Sequence, residues 1–213
     1  MAQRGRPRSF DRAAALRRAM EVFWERGYEG ASLSELTAAM GINSPSLYAA
    51  FGCKEALFRE AVALYDATEG SVTSSALRDE PTARDAVEAM LRNNADLYAN
   101  PDKPSGCMIV LAATTCTPAN SRVRDHLAEC RRDARDALHR RLERGVVEGD
   151  LPAGTDTAAL AAFYYTVLEG LSLQARDSPS REPLEAIITC AMAAWNELTT
   201  LRVTTDAGTP SPG

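Results

Sequence analysis

The spacing of apolar residues predicts a chain built from helices. Leu16, Met20 and Phe23 share one face of a helix over residues 10–26, with Arg and Glu on the other side and Gly27 as its stop. Ser32 to Phe51 reads as two short helices joined by a tight turn. Leu33, Leu36 and Met40 line one side of the first, and Ser32 with Glu35 forms a capping-box pattern that satisfies orphan backbone donors. Gly41 ends it through a left-handed conformation; Asn43 or Ser44 caps the second, with Pro45 in its first turn. That second helix has one clear inward residue, Leu47, and otherwise shows Ser44, Ser46, Tyr48 and Ala49. So polar a surface on so short a helix suits a major groove better than a core.

Beyond Gly52, Leu57, Phe58, Ala61, Val62 and Tyr65 mark a fourth helix running to about residue 69. Together with the first three it closes a small core from Leu16, Phe23, Leu36, Met40, Leu47, Phe51 and Phe58. A second domain is expected after Gly70, although the fourth helix physically links the two. Residues 81–100 form an amphipathic helix carrying Val87, Met90, Leu91 and Tyr98, and NPDKPSG at 100–106 is a loop. Residues 107–116 are almost wholly apolar and are expected to be a buried helix. A long helix follows to about residue 148, turning Val123, Leu127, Cys130, Ala134, Leu138 and Leu142 inward. Its Arg-rich remainder reads as a solvated face with pairs such as Asp136–Arg140. After the linker GDLPAGTD come two helices, one with Leu160, Phe163, Tyr164, Val167, Leu168 and Leu171, the other with Leu184, Ile187, Ile188, Ala191, Trp195 and Leu198. Both are too apolar for surface positions. A larger core within the chain would absorb them; a self-complementary four-helix interface between two copies, through Tyr165, Leu168, Leu184, Ile188, Met192 and Trp195, accounts for more of the excess.

Charge sharpens this picture. The 213 residues carry a net charge of −5, which does not suit a general nucleic-acid coat. Its distribution is uneven, with six arginines against one aspartate through Arg18. A basic head on an acidic body fits a localised phosphate contact. Arg4 and Arg6, in the segment RGRPR, suit a minor groove, although a solvated basic tail has the same composition. Five cysteines without a CxxC spacing indicate neither a disulfide framework nor a zinc site, and a reducing cytoplasm is the expected compartment. No apolar core follows the basic N-terminus, so a signal peptide is not expected, and the longest apolar run, Met108 to Ala113, is too short to span a bilayer. No G-x-S-x-G, H-E-x-x-H or Gly-rich phosphate loop occurs, and the His126/Glu129 pair alone is a weak metal candidate. An enzyme is therefore not expected, and neither a metal nor another cofactor is. A non-specific architectural DNA protein is the remaining rival, disfavoured by the acidic body.

The run from Phe10 to Phe58, with A-L-x-x-A-M-x-V-F-W-E-R-G-Y-E-G-A-S-L, M-G-I, S-L-Y and F-G-x-K-E-A-L-F in register, closely resembles the TetR family of bacterial transcriptional regulators. The resemblance implies an N-terminal helix-turn-helix DNA-binding domain (10–56, after an arm at 1–9) and a C-terminal helical ligand-binding and dimerisation domain (57–202, before a disordered tail at 203–213). About nine helices are implied. It assigns Ser32, Tyr48 and Lys54 to phosphates and places Asn43, Ser44, Pro45 and Ser46 toward base edges of a palindromic operator. The implied function is a homodimeric repressor released from DNA by a small-molecule inducer. Tyr98, Met108, Leu111, Cys116, His126, Phe163, Tyr164 and Trp195 are candidates for the inducer pocket, each also readable as core, and their sparse polarity suggests a largely apolar ligand. Gly106–Cys107 also resembles thiol-sensing members, so an electrophile or oxidant sensed at Cys107 or Cys116 is the alternative. Cys53 departs from the usual small polar residue and reads as a filler.

Overall fold

The computed structural model describes residues 10–200, so Arg4, Arg6, the proposed arm and the proposed tail lie outside the described residues. Nine helices of eight or more residues are present among them, with no strand. The N-terminal end comprises α1 (Arg12–Gly30), α2 (Leu33–Met40), α3 (Ser44–Phe51) and the first half of α4 (Lys54–Ala67). The helix of α1 proper stops at Gly27, whose φ of 71° and ψ of 174° break the ladder. Phe23, Leu36, Met40, Leu47, Phe51 and Phe58 are buried as the pattern predicts, whereas Leu16 is only partly so. Phe23 meets Phe58 edge-on at 5.0 Å, and Tyr28 meets the same ring at 5.1 Å. Arg12 ties the three-helix unit together, donating to Glu60 at 2.8 Å and to the Ala50 carbonyl at 3.2 Å while its guanidinium covers the Phe51 ring at 4.3 Å.

The body contains α5 (Ser71–Asp79), α6 (Ala83–Tyr98), the single turn α7 (Met108–Leu111), α8 (Ser121–Glu148), α9 (Thr157–Asp177), α10 (Arg181–Ala193) and the short α11 (Trp195–Thr200). Helix α5 is absent from the sequence reading, because Gly70, Ser71 and Ser74 look like linker; it is held against α6, with Ala76 and Leu77 buried. The helix expected over 107–116 shrinks to α7. The Ala112 carbonyl there accepts from the Tyr28 amide at 2.7 Å, and Thr114 and Thr115 are poor helix formers beyond it. Along α8, Val123, Leu127, Leu138 and Leu142 are buried, while Cys130 and Ala134 are partly open. Its polar face is not uniformly solvated. Arg141 is buried, with its guanidinium on the carbonyls of Glu80 and Pro81 at 3.3 Å and 3.9 Å from Asp150. Asp136 pairs with Arg135 at 3.9 Å, so the expected Asp136–Arg140 pair gives way to a nearer neighbour.

Candidate functional site

Helix α2 begins with both halves of a capping box: the Ser32 hydroxyl accepts from the Glu35 amide at 3.2 Å, and Glu35 accepts from the Ser32 amide at 2.9 Å. Glu35 also holds Arg26, which fixes the junction of α1 and α2. Asn43, not Ser44, caps α3, accepting from the Ser46 amide at 2.9 Å, so its side-chain oxygen is engaged in the helix end. Ser44, Pro45 and Tyr48 are exposed on α3, and the Tyr48 ring retains 47% of its surface. Lys54, in the first turn of α4, lays its ammonium over the Tyr28 ring at 4.4 Å. Burial lowers its pKa, and the carboxylate of Glu29 opposes that shift. Ser32, Tyr48 and Lys54 therefore lie on the elements that flank the exposed face of α3. Their hydroxyls and ammonium are the donor types that fit phosphate oxygens.

A cavity of about 430 Å³ lies in the body, bounded by α4, α5, α6, α7, α8 and α9. That volume is in the range of small-molecule sites. Tyr98 and His126 line it as the sequence suggests; burial and the nearby Arg59 push the His126 pKa down, favouring its neutral form. The other six pocket candidates lie elsewhere. Met108 is wholly buried in the core, Leu111 packs toward Gly106, and Cys116 sits beside Glu29 and Lys54 at the base of the DNA-binding end. Phe163, Tyr164 and Trp195 form an aromatic cluster with centroids 5.0 and 5.4 Å apart, and the Tyr164 hydroxyl donates to the Ala191 carbonyl at 3.1 Å. In their place the cavity takes Tyr65, Leu77, Asn94, Cys130, Tyr165 and Leu168. Tyr65 was visible as an inward position of α4; Leu77 belonged to a helix not foreseen.

The expected interface residues need a matching correction. Tyr165, Leu168, Leu184, Ile188, Met192 and Trp195 are all buried within their own chain, at 0–8% exposure. Most of the apolar residues that periodicity picks out close the intrachain core, Phe163 being an exception. The outward faces of α9 and α10 carry a different set, including Phe163, Gly170, Leu173, Ala186, Cys190 and Ala193.

Cys107 also lines the cavity. Gly106 before it has φ +77°, and the Cys107 amide donates to Ser172 Oγ at 2.8 Å. Burial pushes the thiol pKa up; hydrogen bonding from Tyr65, from the amides of Val110 and Ile109 and from Tyr98 acts in the opposite direction. The nearby cations are engaged elsewhere: Lys103 pairs with Glu69, and Arg131 donates to the Ile109 carbonyl at 2.9 Å. The strip from Gly106 to Ala112 is bonded at both ends to α1. Trp24 Nε1 donates to the Gly106 carbonyl at 2.8 Å, and the Tyr28 amide to the Ala112 carbonyl at 2.7 Å. Gly27 lies against that strip so closely that a Cβ there would meet the Ala112 oxygen at 3.0 Å.

This division into a capped three-helix end and a cavity-bearing helical body is matched by known proteins. The bacterial regulatory proteins of the tetR family match residues 15–61, and the tetracyclin repressor-like C-terminal domain matches residues 81–191. The chain belongs to the TetR family. It is a DNA-binding regulator of that type. It is similar to the transcriptional repressor ComR of Escherichia coli K12, at 33% identity over 196 residues, covering 92% of this chain and 93% of ComR. The repressor BdcR of the same organism is 31% identical over 190 residues, 89% of each chain. The solved structure of the TetR-family regulator CifR, a cysteine mutant complexed with a 26-base-pair operator DNA, is 50% identical with a TM-score of 0.87, covering 89% of this chain and all of that one. Among the described residues, no helix is long and apolar enough to cross a membrane, and no group of three or more His, Cys, Asp or Glu side chains is placed to hold a metal.

Proposed function

We propose that this TetR-family regulator is a dimeric repressor released from its operator when a small, largely apolar electrophile enters the cavity and is captured by Cys107. The observation that carries the reading is the position of Cys107, which lines the cavity while its strip is hydrogen-bonded to α1. Cys116 lies outside the cavity, so it is the poorer candidate. That CifR was solved as cysteine mutants on operator DNA supports attention both to thiols and to operator binding.

At the DNA end, Ser32, Tyr48 and Lys54 grip phosphates, and Ser44, Pro45 and Ser46 meet base edges, Pro45 against a thymine methyl. Asn43 contributes mainly by capping α3. A second copy covers the outward faces of α9 and α10, where Phe163 and Leu173 are exposed, placing two copies of α3 on a palindrome. Capture at Cys107 acts by favouring a dimer whose α3 spacing misses one half-site, and its effect is bounded by the free-energy difference it creates between the two states.

The test begins with a random-sequence selection that finds the operator. The protein–operator complex is then treated with N-ethylmaleimide, which bonds the Cys107 sulfur to an alkene carbon, breaks the π bond and places the thiol proton on the adjacent carbon. Release of wild type and Cys116→Ser, with retention of Cys107→Ser, is expected. Equal release of Cys107→Ser by the reagent, or no sequence-selective binding by wild type, refutes the proposal.

A further inference from the structure

Tyr65, Tyr98 and Cys107 are neighbours in the cavity lining, which also includes Asp66 on α4, Asp133 on α8 and Glu169 on α9. Asp66 and Asp133 are solvent-exposed, and among the described residues neither takes part in an ion pair or a side-chain hydrogen bond. Glu169 has Arg131 as its partner at 3.8 Å. Arg59 is the one arginine or lysine lining the cavity among the described residues, and it is engaged by Glu55 at 3.0 Å and by the Arg122 carbonyl at 3.3 Å. Two carboxylates without an ion-pair partner therefore line the cavity, one on α4 and one on α8, and both lie close enough to Cys130 to act on it. Low-dielectric walls focus the field of such charges into the opening, where it acts on whatever enters. The field already registers on a neighbour: after burial, the carboxylates of Asp66, Asp133 and Glu129 raise the pKa of Cys130.

We propose that the Asp66 and Asp133 carboxylates select the effector by charge, admitting neutral and cationic electrophiles to Cys107 and turning away anionic ones. This rests on the reading that Cys107 captures the effector, and it narrows that effector to compounds without a carboxylate, sulfonate or phosphate near the reactive carbon.

Three methanethiosulfonates of similar reach separate the two ideas: a neutral methyl, a cationic trimethylammonioethyl and an anionic sulfonatoethyl reagent. In each reaction the Cys107 sulfur bonds to the reagent's sulfenyl sulfur, the S–SO2 bond breaks, methanesulfinate leaves with the electron pair, and the thiol proton passes to solvent. Rates are read on the full-length protein by the mass of the Cys107 peptide and divided by those of a free cysteine derivative. The cationic reagent is expected to lead the anionic one by about tenfold beyond that reference at low salt. The lead falls toward the reference in Asp66→Asn/Asp133→Asn and at about 0.5 M salt. Both substitutions are isosteric and at exposed positions, and circular dichroism checks the fold. A reference-like ratio in wild type, or a lead untouched by the double substitution, overturns the charge selection. If the methyl reagent still modifies Cys107 and releases DNA in that case, the proposed function survives. If none of the three modifies Cys107, both fall.

Discussion

Trp24→Phe tests the link between the DNA-binding end and the Cys107 strip. Trp24 is 2% exposed, meets Tyr65 edge-on at 4.8 Å, and donates its indole N–H to the Gly106 carbonyl at 2.8 Å. Phenylalanine keeps an aromatic ring but removes the donor. It leaves a buried carbonyl unpaired, which costs about 1–3 kcal/mol. The missing part of the indole adds a void and lost contacts, for about 1–2 kcal/mol more. The expected loss of unfolding free energy is therefore about 2–5 kcal/mol. Denaturant titration followed by circular dichroism measures it, at fixed protein concentration because dimerisation adds a mass-action term. The same variant, at a temperature where it remains folded, is expected to hold its operator more persistently after maleimide treatment, since the Gly106 end of the strip no longer pulls on α1. A loss below about 1 kcal/mol would show the bond to be weak or readily replaced by water, and unchanged DNA release would remove Trp24 from the coupling route.

Three further outcomes are expected. Gly106→Ala puts a Cβ 2.6 Å from the Ser172 carbonyl oxygen and 2.7 Å from Leu111 Cδ1, in a left-handed conformation, so thermal denaturation should show destabilisation of about 2–4 kcal/mol. Lys54→Ala removes the proposed phosphate contact while leaving the α3 surface intact. Operator binding across a salt series should weaken, with the slope of log K against log salt shallower by about one per protomer and sequence preference retained. Because burial raises the Cys107 pKa, its thiol is protonated near neutrality, and maleimide addition should accelerate about tenfold per pH unit and bend only above the ordinary thiol range. The sign follows from linkage: any stability gained by keeping this thiol neutral is present below its unfolded pKa and is lost as pH rises through the folded one. A rate that levels off below the ordinary thiol pKa contradicts the burial argument.

The sequence by itself determined the family, the helical class and the DNA-binding end. Those features rest on local chemistry that acts within a few residues of its own position: the Ser32–Glu35 capping box, the Gly41 stop, the turn before α3 and the i, i+3, i+4 faces that bury Leu36, Met40, Leu47 and Phe58. Tertiary structure decided the body. Periodicity marks Tyr165, Leu168, Leu184 and Ile188 as apolar and inward, but only packing shows that their own chain covers them and that Phe163, Leu173 and several small residues are left for the outer faces of α9 and α10. The cavity was still less legible, because a cavity is a failure of six helices to meet, and no window of sequence encodes a gap. Of the eight pocket candidates two line it, and Cys107 gained its role from contacts 65 and 82 residues away in the chain, with Ser172 before its amide and Trp24 on the preceding carbonyl. Long-range contacts of that kind follow from how the helices dock, and the docking is set by the summed shape of their buried side chains.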